Sequence, residues 1–152
     1  MLSAIERNEK SPTIRVLCQI AESLGVRVSE LVGEGPAVGT EILRRGERHP
    51  LVDPASGMTR SLLSKHLVSH GLEVIWYTVP PNRASGAFPA HRSGVVEHIT
   101  VVEGVLALEI GTERVTLQSG DSITYPADIV HGFRSVGRGE CAFLLLIDSS
   151  RS

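Results

Sequence analysis

The fold is decided by two stretches of sequence: HRSGVVEHITVVEG, residues 91–104, and GDSITYPADIVHGFRS, residues 120–135. Both combine β-branched residues with turn-forming Gly, Asp, Ser or Pro, a pattern typical of short strands joined by tight turns. Similar segments recur from residue 41 to residue 147, which predicts one mainly β sandwich or barrel. The predicted strands are Glu41–Arg45, Thr59–Ser64, Leu72–Val79, His98–Val102, Val105–Ile110, Arg114–Leu117, Ser122–Tyr125, Gly132–Ser135 and Cys141–Ile147.

The first stretch places polar side chains on the inward face of its predicted strand. Side chains alternate faces along a strand, so His91, Ser93 and Glu97 share one face if the whole stretch is extended. Ile99 and Val101 have the same parity and are apolar, as the inward face of a filled barrel requires. An imidazole and a carboxylate are therefore expected inside the barrel.

A second imidazole comes from His131, which lies in a distant segment that only the fold can bring alongside. His98 has the parity opposite to that of the inward residues, so it should point outward and we do not count it as a ligand. Parity and proximity alone suggest Arg92, Tyr125 and Phe133 as further pocket residues. For each of these three, taken singly, a structural role is the simpler interpretation.

The two stretches resemble the two motifs of the cupin family. The first cupin motif has a His, a second His two residues on, a Glu and then a Gly, and His91, Ser93, Glu97 and Gly104 stand in that register. The spacing of the second motif is matched by Gly120, Pro126, Asp128, His131 and Ser135. The resemblance covers roughly residues 40–150. It implies a cupin double-stranded β-helix, which is a jelly-roll barrel.

Two positions depart from the cupin pattern, because Ser93 replaces the second ligand histidine and Ser135 replaces the closing Asn. Neutral serine is a poor ligand for a first-row metal. His91, Glu97 and His131 remain, a two-His-one-carboxylate set that can hold a divalent metal (Fe, Zn, Mn or Ni) with open positions. The alternative, which the loss of the second histidine favours, is a metal-free pocket in which these residues and Ser93 hydrogen-bond an organic ligand.

An amphipathic helix precedes the β region. Within residues 12–26 the apolar residues fall at helical spacing, with polar residues between them. Ser11 is predicted to be the N-cap, Pro12 suits the first helical position, and Gly25 ends the helix. A short helix over Leu2–Asn8 and one more turn over Ser29–Val32 are also expected. The apolar residues at helical spacing are Ile14, Leu17, Cys18, Ala21 and Leu24.

Residues 2–26 resemble the C-terminal half of the phage-repressor-like (XRE-type) helix-turn-helix domain. The matching elements are LSAIE at residues 2–6, a polar loop, Pro12-Thr13, Ile20-Ala21 and Gly25-Val26. The alternative is an unrelated amphipathic pair of helices. Joined to a cupin, the segment resembles bacterial transcriptional regulators whose helix-turn-helix binds operator DNA and whose C-terminal cupin domain senses a small-molecule effector. A homodimer is also implied, because operators have two-fold symmetry.

This resemblance divides the chain into a partial helix-turn-helix domain at 1–33, a Gly- and Pro-rich linker at 34–39 and a cupin domain at 40–152. In the family, two helices and the start of the recognition helix precede the point at which Met1 stands. We therefore expect an N-terminally incomplete helix-turn-helix that binds operator DNA weakly or not at all. Its residual DNA contacts are expected at Ser3, near the bases, and at Arg7, Lys10 and Ser11, near phosphate.

Composition excludes several classes of protein. A net charge of −2 and a pI near 6.3 give no global attraction to nucleic acid. No apolar run approaches the roughly 20 residues that span a bilayer, and the polar N-terminus is not a signal peptide. Cys18 and Cys141 lie far apart in apolar surroundings and are predicted to be free, buried thiols. A soluble cytoplasmic protein is expected.

The leading hypothesis from the sequence is a ligand-responsive transcriptional regulator, which is not an enzyme. The runner-up is a small metal-dependent cupin enzyme, an Fe(II) dioxygenase or an isomerase, that uses His91, Glu97 and His131. A purely structural barrel is the third alternative. Metal content discriminates between the first two, because the enzyme needs an ion at these three residues.

Overall fold

The computed structural model describes residues 12–32 and 40–151 of the chain. Two α-helices, α1 (Ile14–Leu24) and α2 (Val28–Leu31), precede the strands, and short 3-10 helices span Arg45–Glu47 and Leu67–His70. The helix predicted over Leu2–Asn8 and the linker at 34–39 lie outside the described residues. None of the helices within the described ranges is long and apolar enough to cross a membrane.

Helix α1 begins at a threonine cap. The hydroxyl of Thr13 accepts a hydrogen bond from the backbone N–H of Val16 at 3.2 Å, and this pairs one of the donors that a helix start leaves open. The N-cap predicted at Ser11 was therefore wrong by two residues, because the threonine hydroxyl already occupies that role. Gly25 ends the helix as predicted, with a φ of 66°.

Within residues 40–151 ten strands follow, and every pairing among them is antiparallel. One sheet has the order β1-β2-β3-β10-β5-β8 and the other has the order β4-β9-β6-β7. The expectation of a mainly β jelly-roll barrel after a short helical segment is confirmed. The strands are β1 (Leu51–Val52), β2 (Thr59–Leu62), β3 (Leu72–Val79), β4 (Ala84–Phe88), β5 (Val96–Glu103), β6 (Val105–Ile110), β7 (Glu113–Gln118), β8 (Ser122–Pro126), β9 (His131–Ser135) and β10 (Cys141–Asp148).

The predicted strand at Glu41–Arg45 was wrong. The segment is irregular and leads into the 3-10 helix Arg45–Glu47. The Glu41 carboxylate accepts hydrogen bonds from the backbone N–H groups of Lys65 and His66 and from the hydroxyl of Ser64. These hydrogen bonds hold the segment through the Glu41 side chain, so it does not have to pair with a strand.

Strand β4 was not predicted, because its sequence ASGAF has little β propensity. Pairing with β9 forms it, and a bulge lies between Ala84 and Ala87. Within this bulge Gly86 has a φ of 77°. A side chain there would also meet the Arg15 guanidinium of α1, whose nearest atom lies 2.6 Å from the position of a Cβ. Because Arg15 is exposed and flexible, its guanidinium could move aside, and the positive φ is the reason that this position favours glycine.

Strand β5 carries the side-chain alternation that the sequence predicted. Glu97, Ile99 and Val101 are buried. The imidazole of His98 lies on the opposite face, where it contacts the hydroxyls of Thr124 and Thr100. The buried face of β5 points into the barrel. The Glu97 side chain, near the start of this strand, therefore lies inside the barrel.

Helix α1 packs on the barrel and shares its hydrophobic core. Ile14 is 1% exposed and belongs to the same buried cluster as Tyr77 and Phe133, whereas Leu24 is 63% exposed. Burying an isoleucine side chain contributes about 2 kcal/mol. The helical segment is thereby fixed across one end of the barrel.

Candidate functional site

Two histidines and one glutamate meet inside the barrel at the end that faces α1. Glu97 is on β5, His131 is the first residue of β9 in the other sheet, and His91 lies in the segment between β4 and β5. Glu97 pairs with Tyr125 of β8, and His131 pairs with Phe88 of β4.

The segment that carries His91 is pinned by backbone hydrogen bonds. The N–H of His91 donates to the carbonyl of Ala127 at 2.9 Å, and the N–H of Ala127 donates to the carbonyl of Val95 at 2.9 Å. Between these bonds the chain turns through Gly94, whose φ is 91°. Ser93 lies in this turn and is exposed. The predicted shared face of residues 91, 93 and 97 was therefore wrong at Ser93, because the stretch is not extended there.

The second histidine is held in one orientation by its own backbone. Nδ1 of His131 lies 2.9 Å from the carbonyl oxygen of Ile129. A carbonyl only accepts, so Nδ1 carries the proton and donates it. The other nitrogen, Nε2, faces Oε2 of Glu97 at 3.5 Å. Phe88 and Phe133 flank the ring, with centroids 5.8 and 5.9 Å away.

The Glu97 carboxylate is the centre of the cluster and is only 1% exposed. Its Oε1 lies 3.2 Å from Nε2 of His91, and its Oε2 accepts a hydrogen bond from the hydroxyl of Tyr125. Burial favours the neutral acid, but the hydrogen bond from His91 and the charges of the two histidines outweigh it and lower the pKa of Glu97. Burial, together with the nearby Glu97 charge, raises the pKa of Tyr125.

A carboxylate from the helical segment also reaches this cluster. Oε2 of Glu22, on α1, lies 3.5 Å from Nδ1 of His91. Burial disfavours the imidazolium, but the hydrogen bond and charge of Glu97, followed by the charge of Glu22, outweigh it and raise the pKa of His91. Both ring nitrogens of this histidine therefore face an anion.

The cluster opens into a cavity of about 210 Å³ between α1, α2 and the barrel. Its barrel walls include Tyr77, Phe133 and Leu145, and its helical wall includes Cys18 and Ala21. Burial raises the pKa of the Cys18 thiol to about 12, so this sulfur is a poor nucleophile. The space suits a small organic molecule held by an apolar wall and a few fixed polar groups.

A second buried charge pair lines the same cavity. Nη2 of Arg60 lies 2.6 Å from Oε2 of Glu73, and the two side chains are 2% and 7% exposed. Sequence reasoning missed both residues. Glu73 carried a usable signal, because it has the same parity on β3 as the buried Ile75 and Tyr77. A charged residue on an inward face requires a partner.

The three donors lie close enough together to be candidate ligands of one metal ion. Ligand atoms of His91, Glu97 and His131 all lie within 4.8 Å of one another. Donors that share a tetrahedral ion at about 2.1 Å lie roughly 3.4 Å apart. Nε2 of His91 and Nε2 of His131 lie 3.2 and 3.5 Å from Glu97, each from a different carboxylate oxygen. The Nδ1–H bond of His131 leaves Nε2 as its ligating nitrogen. These residues fit a divalent metal.

The structure brings together three of the predicted pocket residues, His91, Glu97 and His131, and leaves the exposed Ser93 outside. Arg92 and Phe133 line the cavity. The hydroxyl of Tyr125 donates a hydrogen bond to the Glu97 carboxylate, which lines the cavity. Cys18 and Cys141 are free, as predicted. The predicted DNA-contact residues lie outside the described part of the chain; they are Ser3, Arg7, Lys10 and Ser11.

Comparison with known proteins relates both parts of the chain to one class. The sequence profile of the cupin domain matches residues 75–147. The chain is 30% identical over 155 residues to the HTH-type transcriptional regulator SutR of Escherichia coli (strain K12), with 100% of this chain and 80% of SutR covered.

Two solved structures show similar architecture. An HTH_3 family transcriptional regulator from Vibrio cholerae superposes with a TM-score of 0.80 at 28% identity, covering 99% of this chain and 80% of that chain. The cupin domain of an XRE family transcriptional regulator from Enterobacter cloacae superposes with a TM-score of 0.58 at 23% identity, covering 62% of this chain and 98% of that domain. The second likeness concerns the fold alone.

Proposed function

Since the chain belongs to the helix-turn-helix transcriptional regulators that carry a C-terminal cupin domain, we propose that it controls transcription in response to a small-molecule effector bound in its barrel. The division into residues 1–33 for DNA, a linker at 34–39 and a sensor domain at 40–152 is part of this proposal. Operator DNA and a second copy of the chain are the proposed partners, because a two-fold operator binds a dimer.

The observation that carries the proposal is the shared wall of the cavity. The space is lined on one side by the barrel and on the other by residues of α1 and α2, Ala21 and Val28 among them. A ligand in this space touches both parts of the chain. It can therefore favour one arrangement of the helical segment over another, and a ligand shifts an equilibrium only through such differential contact.

The polar cluster is proposed to orient the effector. His91, Glu97 and His131 are fixed by hydrogen bonds to the backbone or to each other. Polar groups that are already fixed in a cavity give specificity without a large ordering cost. The effector is therefore expected to hydrogen-bond or ion-pair with this cluster.

A thermal-shift screen of bacterial metabolites tests the pocket. We expect at least one compound to raise the Tm of the full chain and to lose this effect in the variant Glu97→Gln. The matched control is Ser93→Ala, which changes an exposed residue of the adjacent turn and should keep the shift. A compound that stabilises wild type and Glu97→Gln equally would place the effector elsewhere.

Transcript profiling tests the regulatory role. The Glu97→Gln change is introduced into the natural gene, and the transcripts of the edited and parent strains are compared. We expect a small, defined set of genes to change expression, and no such set in a strain carrying Ser93→Ala. Identical transcripts in the parent and Glu97→Gln strains under all growth conditions would contradict a ligand-responsive regulator.

A second candidate function is a metal-dependent cupin enzyme, which the compact donor set of two histidines and one carboxylate favours. Bound there, a divalent metal would supply a Lewis acid with open coordination positions. Metal analysis of the purified chain discriminates between the candidates. Stoichiometric iron or zinc that is lost in His131→Ala supports the enzyme, whereas a metal-free wild-type chain contradicts it.

A further inference from the structure

The imidazole of His91 lies between carboxylates that belong to different parts of the chain. On one side, Nε2 lies 3.2 Å from Oε1 of Glu97 in the barrel. On the other, Nδ1 lies 3.5 Å from Oε2 of Glu22 on α1. The ring therefore joins the centre of the cavity to the helix that covers it.

The position of Glu22 on the helix makes this contact specific. Glu22 follows Ala21, which is 3% exposed and seats α1 on the barrel. Glu22 is exposed, as are Gln19 and Ser23 on the same helix, but Gln19 and Ser23 do not line the cavity. Among these three polar residues, Glu22 alone lines the pocket.

We propose that Glu22 is a positioning residue for His91 and that their contact couples the occupancy of the pocket to the docking of α1. The proposal rests on the proposed function, because it states how a ligand in the same pocket would affect the docking of α1. Glu22 acts through His91 and need not touch the ligand.

The coupling follows from the two nitrogens of the imidazole ring. The Glu22 carboxylate beside Nδ1 and the Glu97 carboxylate beside Nε2 hold the ring between them, and a partner at one nitrogen orients the other. A cation or a hydrogen-bond donor that engages Nε2 in place of Glu97 makes the Nδ1 proton a stronger donor to Glu22. By reciprocity, a helix docked through Glu22 must improve binding at Nε2 by the same factor.

A double-mutant cycle on the full chain tests the contact without any ligand. The variants are Glu22→Gln, His91→Asn and the double variant, and the measurement is amide hydrogen exchange within α1. Each single variant is expected to raise the exchange rate of Cys18–Leu24 by about two- to five-fold, as suits a partly exposed ion pair. The double variant should exchange no faster than the faster single variant. Rates that multiply in the double variant would overturn the coupling.

Ring nitrogen NMR separates positioning from general stability. With 15N-labelled histidine, the Nδ1 signal of His91 should shift in Glu22→Gln and stay unchanged in Glu113→Gln, which removes an exposed carboxylate from β7. An unchanged Nδ1 signal in Glu22→Gln would overturn the positioning role. Neither readout needs the effector, so a metabolite screen that finds no ligand contradicts the proposed function but leaves this contact open to test.

Discussion

Nε2 of His91 and Oε1 of Glu97 are 3.2 Å apart, although one belongs to a loop and the other to a strand. The loop is held in place by the hydrogen bonds between His91, Ala127 and Val95. Because Glu97 is buried and bonded on both oxygens, the two residues form a fixed polar point inside the barrel. A bound molecule would be oriented at this point.

Replacing Glu97 with Gln is expected to destabilise the fold as well as to alter binding. The substitution keeps the shape but removes the charge that both histidines face. A histidine can release its proton, so the cost is smaller than for a permanent ion pair, about 1–3 kcal/mol. Urea unfolding at neutral pH measures it. A variant as stable as wild type would show that the carboxylate is not charged in the folded chain.

The Arg60–Glu73 pair should show strong non-additivity. Arg60→Met takes the nearest positive charge from the buried Glu73 and is expected to cost about 3–5 kcal/mol. Glu73→Gln should cost less, because Arg60 keeps another interaction. The double variant Arg60→Met/Glu73→Gln should cost clearly less than the sum of the two, because both substitutions remove the same direct contact. Chemical denaturation of the four proteins measures this. Additive costs would mean that the two charges do not depend on one another.

Helix α1 is expected to unfold together with the barrel, because Ile14 lies in the barrel core. Ile14→Ala should lower the free energy of unfolding by about 2–4 kcal/mol in a single transition. Leu24→Ala on the same helix is the control and should cost less than about 0.5 kcal/mol, since that side chain is exposed. If Ile14→Ala leaves the main transition unchanged, the helix is not part of the cooperative unit.

Restoring the second cupin histidine should not restore a fourth metal ligand. Ser93 lies in the exposed turn at Gly94, so an imidazole at position 93 would point away from Glu97. Ser93→His is therefore expected to bind zinc with the affinity of wild type, within about two-fold, as measured by competition with a chelating dye. A ten-fold gain in affinity would show that the turn rearranges to face the cavity.

The contribution of Glu41 to stability should vanish in acid. Slight burial opposes its charge, but hydrogen bonds from Lys65, Ser64 and His66 outweigh that effect and lower the pKa of Glu41. A lowered pKa means that the contribution is present above the unfolded value, near 4.3, and is lost as pH falls through the folded value. The stability difference between wild type and Glu41→Gln should be largest near neutral pH. A difference independent of pH would contradict this role.

Much of the barrel was predictable because its local signals agree with its tertiary structure. The alternation along β5 placed Glu97, Ile99 and Val101 correctly, and Gly25 ended α1 as expected. Strand β4 was missed because tertiary pairing forms it against weak local propensity. Ser93 was misplaced because parity arguments fail wherever a turn interrupts the strand.

The site was only half predictable, for a physical reason. Motif spacing identifies the residues that one barrel strand and its neighbours bring together, and it found His91, Glu97 and His131. Glu22 belongs to a different segment, and only the docking of α1 brings it to the cavity. No spacing rule within either segment relates it to His91.

Native mass spectrometry of the full chain after incubation with a bacterial metabolite extract tests the effector pocket most directly. Wild type and Ser93→Ala should each retain the same small-molecule adduct. In Glu97→Gln and His131→Asn the fraction of protein that carries this adduct should fall. The account is contradicted if wild type retains no adduct from any extract, or if the adduct persists undiminished in Glu97→Gln and His131→Asn.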